Sequence, residues 1–219
     1  MQETSQRHHL TNEEYANFVT HGGGLLFALL GAGILVHAVS DNVDHALRLG
    51  CWIYAAALVA VYAASTLSHT FAHPVRRHFF RSLDQGVIYL FIAGNFTPFA
   101  IAYLHGELLW ILTAVMWAGA LVGFCSKVFW GHRVNRTAVT HYLALGWLPV
   151  VAIEPILRVL PAGGVWLCIA GGVCYTVGTI VLTFDTKVRY FHALWHLLVI
   201  AGSFFHFLVV MEYVIPTHT

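Results

Sequence analysis

Seven apolar stretches, each about long enough to cross a lipid bilayer, follow one another along the chain: residues 21–40, 50–72, 83–104, 107–127, 138–157, 162–184 and 191–214. A spanning α-helix needs roughly 20 predominantly apolar residues. In lipid the backbone must satisfy its own polar groups, so helices are expected and open strands are excluded. The fifth run is the weakest, broken by Pro149 and by Glu154-Pro155. Proline inside a spanning helix frees a carbonyl and usually bends the helix. Short connections predict that helices consecutive in sequence are adjacent and antiparallel. The segment from Met1 to Phe18 is polar and mixed in charge, without the basic start, apolar centre and cleavage site of a signal peptide. The expected organisation is a cytoplasmic segment 1–20, a seven-helix transmembrane domain 21–214 and an external tail 215–219.

Lys and Arg in the connections orient the bundle. Arg7, Arg76, Arg77, Arg81, Lys127, Arg133, Arg136, Lys187 and Arg189 fall on one side, nine in all, against Arg48 and Arg158 on the other. The expected topology is an all-α integral membrane bundle with a cytoplasmic N-terminus and an external C-terminus, multi-pass in the cell's inner membrane. Composition agrees: 58% of residues are hydrophobic and 10% charged, against roughly 25% charged in soluble domains, and the mean hydropathy is +0.72. The formal net charge of +1 points to no nucleic-acid partner, and the oligomeric state has no signature. Cys51, Cys125, Cys168 and Cys174 lie in or beside apolar runs without a Cys-x-x-Cys pair, so they read as small buried apolar side chains rather than as a thiolate metal site.

The unusual count is fifteen histidines. Phe191-His192-Ala193-Leu194-Trp195-His196 opens the last run, and histidines four apart stack on one helix face. Ionisable residues inside a membrane segment are costly and mark functional sites by default. The topology supplies their company. His69 lies near the inner end of the second run, Ser65 one turn deeper on the same face, and Asp84 in the first turn of the third. Three imidazoles, a carboxylate and a hydroxyl therefore share one depth near the inner leaflet.

Three neutral histidines with an open fourth position form the ligand set of a catalytic zinc site. Such a metal lowers the pKa of a bound water towards roughly 7 and polarises a carbonyl oxygen. Asp84 would hold that water as general base, and the first helical turn suits its charge; the plainer role is a residue that only complements the helix dipole. Ser65 would orient a ligand or donate to a developing oxyanion, or serve helix packing alone. A site at the acyl–headgroup boundary would meet lipid-like amides or esters.

Other positions carry less. His21 and His141, both on the inner side, are candidates for an extra ligand or proton relay, with interfacial histidine as the plainer reading. His206, ten residues after His196, is expected to face elsewhere and be structural. His37 and His105 belong at the outer boundary, and His8, His9, His45, His73, His78, His132 and His218 in solvated tails and loops. Gly22-Gly23-Gly24, Gly31 and Gly33 suggest close helix packing, Asn95 with Pro98 a supported kink, and Tyr103, Trp110 and Trp130 interfacial belts.

The spacing Ser65/His69, then Ser82-Leu83-Asp84, then His192/His196 resembles the progestin and adipoQ receptor family, and most of all its bacterial hemolysin III branch. Asn12-Glu13-Glu14, Asn17, Thr20-His21-Gly22 and Gly94-Asn95-Phe96-Thr97-Pro98 are similar to that branch's motifs. The resemblance covers roughly residues 12–212. It implies seven helices, zinc held by His69, His192 and His196, Asp84 reaching the metal through water, and Ser65 behind the ligands. It further implies kinship with membrane ceramidases. Two functions stay open: a zinc-dependent intramembrane hydrolase of lipid amides or esters, or a non-enzymatic regulator, sensor or pore-forming hemolysin with structural zinc. Haem ligation is a third and more distant option.

Overall fold

The computed structural model describes residues 2–40, 43–71, 73–130 and 136–216, with side chains from Asn12 onward and, after the fourth helix, from Ala138. The expectations placed on Arg7, His8, His9, His132, Arg133, Arg136 and His218 lie outside the described side chains.

The chain is helical throughout its described core. α1 spans Gln2–Ala38, α2 His45–Thr70, α3 Pro74–Tyr103 and α4 Gly106–Trp130. α5, Arg136–Trp147, passes into a 3₁₀ turn, Leu148–Ala152, and then into α6, Ile153–Val159. α7 is Ala162–Leu182 and α8 Phe191–Val209, continued by a π-helical turn, Val210–Val214. Seven spans are long and apolar enough to cross a membrane, with α5 and α6 sharing the fifth. The protein is a multi-pass, all-α membrane bundle.

Local chemistry places the helix ends. Asp44 caps α2 by accepting from the backbone N–H groups of Ala46 at 2.9 Å and Leu47 at 3.4 Å, two donors that otherwise lack a partner. Pro74 opens α3, where its missing N–H costs nothing. α8 begins after Tyr190, held at φ 61°, a left-handed conformation that costs a non-glycine residue about 1–2 kcal/mol. Pro149 and Pro155 break the fifth span as expected, because neither ring nitrogen can donate to the helix ladder.

Several helices start earlier than their apolar runs, α1 and α3 by the most. α1 is already helical at Gln2, and α3 begins at Pro74. Hydropathy stops counting at Arg76, Arg77 and Arg81, but arginine is a good helix former, so the helix reaches past the lipid. Asp84 is therefore about three turns inside α3, and its expected place in the first turn, beside the dipole's positive end, is corrected.

α3 is the axle of the bundle. Of its apolar stretch 72% is buried, against 17% for α7 and 22% for α4, which turn most of their surface to lipid. α3 packs on α2 and α4, and α7 packs on α8. Gly24 of α1 lies against Tyr62, where a Cβ would come within 2.6 Å of the ring, and Gly31 lies against Phe207. Both permit the close approach expected of the glycine series; Gly22, Gly23 and Gly33 face open space. α3 runs unbroken through Pro98, and Asn95 reaches across the bundle to α8.

Candidate metal centre

Four histidines from three helices meet at one end of the bundle: His21 of α1, His69 of α2, and His192 and His196 of α8. Their potential ligand atoms all lie within 4.8 Å of one another. The ring centroids of His192 and His196 are 4.4 Å apart, those of His69 and His192 5.3 Å, and those of His21 and His69 5.4 Å. His196 and His21 are almost fully buried. α8 starts at Phe191, so residues 192 and 196 sit one turn apart at its mouth, as their spacing predicts. His69 occupies the last turn of α2.

Around the ring of imidazoles stands a second layer. His69 Nδ1 meets Glu14 Oε2 at 2.9 Å, and Glu14 in turn pairs with Arg77 and with Arg81. His192 Nδ1 meets Asp185 Oδ2 at 3.0 Å. His196 Nδ1 meets Thr20 Oγ1 at 3.3 Å, and that hydroxyl spends its own proton on the carbonyls of Ala16 and Asn17. Each of these three rings thus donates from Nδ1 and keeps the Nε2 lone pair for another partner. An outer acceptor that fixes tautomer and orientation is the usual setting of a metal-binding histidine. Four neutral imidazoles also offer a donor set suited to zinc, copper, nickel or iron. The residues present therefore fit a metal ion.

Asp84 and Ser65 lie beside the cluster. Asp84 is buried and accepts from Ser68 Oγ at a long 3.5 Å. Ser65 Oγ stands 2.9 Å from His21 Nε2. In the sequence Glu14 and Thr20 stand only as motif residues without a role, and nothing marks Ser68 or Asp185. Glu14 had a legible signal, being seven residues before His21 and so on the same face of α1. Asp185 had none, because the turn between α7 and α8 carries it back to the ring. His141 is exposed and stands apart from the four-histidine group.

A cavity of about 510 Å³ leads away from the cluster between α3, α5, α6, α7 and α8. His21, Ser65, Asp84 and His196 form its polar end, and Phe91, Phe96, Ile156, Leu157, Ile169 and Val173 are among its apolar walls. The far portion includes Asn95, Cys168 and His206. His206 does not face away from the site's space, as ten residues of helical rotation suggested. It lines the same cavity, about 15 Å further along α8 at 1.5 Å per residue. There its Nε2 donates to the Cys168 carbonyl at 3.3 Å and its Nδ1 accepts from Asn95 Nδ2 at 2.7 Å.

The family model for haemolysin-III-related proteins matches residues 9–207. The chain belongs to that family. Among its relatives, Hemolysin-3 of Bacillus cereus is 37% identical over 94% of this chain and 93% of its own. The Hemolysin-3 homolog of Bacillus subtilis (strain 168) is 32% identical over 92% and 94%. The human monocyte to macrophage differentiation factor is 26% identical over 94% and 87%. No solved structure matches. The haemolysin-III assignment agrees with the likeness to the progestin and adipoQ receptor family read from the Ser/His, Asp and His/His motifs. Across nearly its whole length, this haemolysin-III-related chain is therefore a member of a seven-helix membrane family.

Proposed function

We propose that the cluster is a zinc site and that the protein is an intramembrane hydrolase of lipid amides or esters. The observation that carries this is the pairing of the ring with its cavity: His69, His192 and His196 are backed at Nδ1 by Glu14, Asp185 and Thr20, and His196, together with His21, stands at the polar end of a largely apolar chamber. His69, His192 and His196 hold the ion through Nε2. Zinc in such a setting supplies Lewis-acid polarisation of a carbonyl and an acidified water. Asp84 is the proton acceptor, buried beside the ring at the cavity's polar end. The apolar walls seat an acyl chain and exclude bulk water from the reacting group. With the N-terminus cytoplasmic, as the Lys and Arg distribution favours, the site lies at inner-leaflet depth in the cell's inner membrane.

A second reading has its own support. Four histidines would fill a four-coordinate sphere, and closed spheres are the mark of structural zinc. On that reading the metal fastens α1, α2 and α8 together in a regulator or sensor of the membrane. The name Hemolysin-3 on the relatives raises pore formation as well, but the cavity walls are too apolar to favour a water-filled channel.

Metal analysis of the purified wild type and of His192→Ala, with mass spectrometry of lipids incubated with each, separates these outcomes. About one zinc per chain, lost in the variant together with a released fatty acid, supports the hydrolase. Zinc lost without any change in a lipid favours the structural reading. A wild type without zinc overturns both.

A further inference from the structure

The four histidines are not equivalent. His69, His192 and His196 each have a partner behind Nδ1, a carboxylate for two of them and a threonine hydroxyl for the third. His21 has none: its Nδ1 is buried and makes no hydrogen bond among the described residues. Its Nε2, the nitrogen turned to the cluster, already has a second possible partner in Ser65 Oγ at 2.9 Å. The helix that carries it differs too. α1 packs chiefly on α2 and α8, only 28% of its apolar stretch is buried, and the other three rings come from the helices it leans on.

An outer acceptor raises a ligand's basicity and holds its ring in register, and losing one costs about 10–100-fold in metal affinity. A histidine without one is the weakest member of its set. We propose that His21 is an exchangeable fourth ligand, which closes the metal's coordination sphere at rest and gives up its place to an oxygen donor of the lipid by transferring its Nε2 to Ser65. This rests on the zinc reading above and unites its two alternatives: the same site is closed and structural with His21 bound, and open and catalytic with His21 on Ser65. Closed four-ligand and open three-ligand spheres are the two common kinds of protein zinc site. Here a single imidazole separates them.

Cobalt(II) replaces zinc and reports ligand number through its visible absorption, so it serves as the probe in detergent-purified protein. The resting wild type is expected to give the spectrum of a four-nitrogen site at one cobalt per chain. Titration with laurate, a carboxylate on an acyl chain, is expected to convert it to a mixed nitrogen–oxygen spectrum. His21→Ala is expected to hold one cobalt per chain with affinity lowered less than about tenfold, and to show the mixed spectrum before laurate is added. Ser65→Ala keeps all four histidines and tests the alternative perch: its resting spectrum matches wild type, and several-fold more laurate is needed for conversion. Loss of metal from His21→Ala as complete as from His196→Ala would make His21 a permanent ligand and overturn the proposal. So would identical resting spectra for wild type and His21→Ala, because His21 would then never bind. A wild type that takes up no cobalt refutes the zinc reading itself, and the exchange with it.

Discussion

α8 carries histidine at two depths, and the two sets differ in what surrounds them. His192 and His196 face two further imidazoles and are backed by Asp185 and Thr20. His206, about 15 Å away by helical rise, faces Asn95 and a backbone carbonyl. All three are membrane histidines, and His196 and His206 line one cavity. What separates them is the neighbourhood. Donors at Nδ1 with acceptors behind leave Nε2 lone pairs pointing inward, whereas His206 uses both ring nitrogens in a hydrogen-bonded chain from Asn95 through the ring to Cys168. The first arrangement waits for a cation; the second ties helices α3, α7 and α8 together. A histidine in lipid is a functional signal only once both of its nitrogens have been accounted for.

The largest test of this contrast is at Asp84. Asp84→Asn is expected to keep its metal and to lose lipid turnover by about 10²–10⁴-fold, the range for removal of a general base; undiminished hydrolysis would sink the catalytic half of the reading. Next, His196→Ala should weaken metal binding by more than the roughly 100-fold ceiling of outer-layer changes, while His206→Ala leaves metal content unchanged. Equal loss in both variants would erase the distinction between the two depths. Asp185→Asn keeps the hydrogen bond's geometry but removes its charge, and should weaken metal affinity by about 10–100-fold, read by competition with a chromophoric chelator.

His206→Ala should still cost stability, about 1–3 kcal/mol, because Asn95 and the Cys168 carbonyl lose a buried partner; a thermal melt with metal present measures it. Gly171→Ala would press a methyl onto the His206 ring and should cost a similar amount through overpacking. The smallest effect is expected at the exposed Glu154–Arg158 pair of α6, where Glu154→Ala should change stability by no more than about 0.5 kcal/mol.

Much of the fold was legible because lipid imposes a simple rule: a run of about 20 apolar residues must be helical. The seven spans and the proline break in the fifth follow from it. The gathering of His69, His192 and His196 followed from topology plus the four-residue spacing, since alternating helices return distant residues to one depth. Where the rule stopped, so did the reading. Charged helix turns outside the lipid, such as the first turns of α3, carry no hydropathy signal, and Asp84 was placed too near the helix start. His21 was legible only as a candidate extra ligand beside His141, with interfacial histidine the plainer reading, because no second histidine at helical spacing on α1 marks it.

The sequence by itself determined that the protein is a seven-helix membrane bundle of the haemolysin-III-related family, and which histidines the last helix presents on one face. Hydrophobicity and helical period are local quantities, read from a few neighbours at a time. Only the tertiary structure decided that His21 joins the ring, that Glu14, Thr20 and Asp185 stand behind three of its members, and that one cavity connects the ring to His206. Those facts depend on how helices rotate and lean against one another, which side-chain packing across the whole bundle sets and no single stretch of sequence encodes.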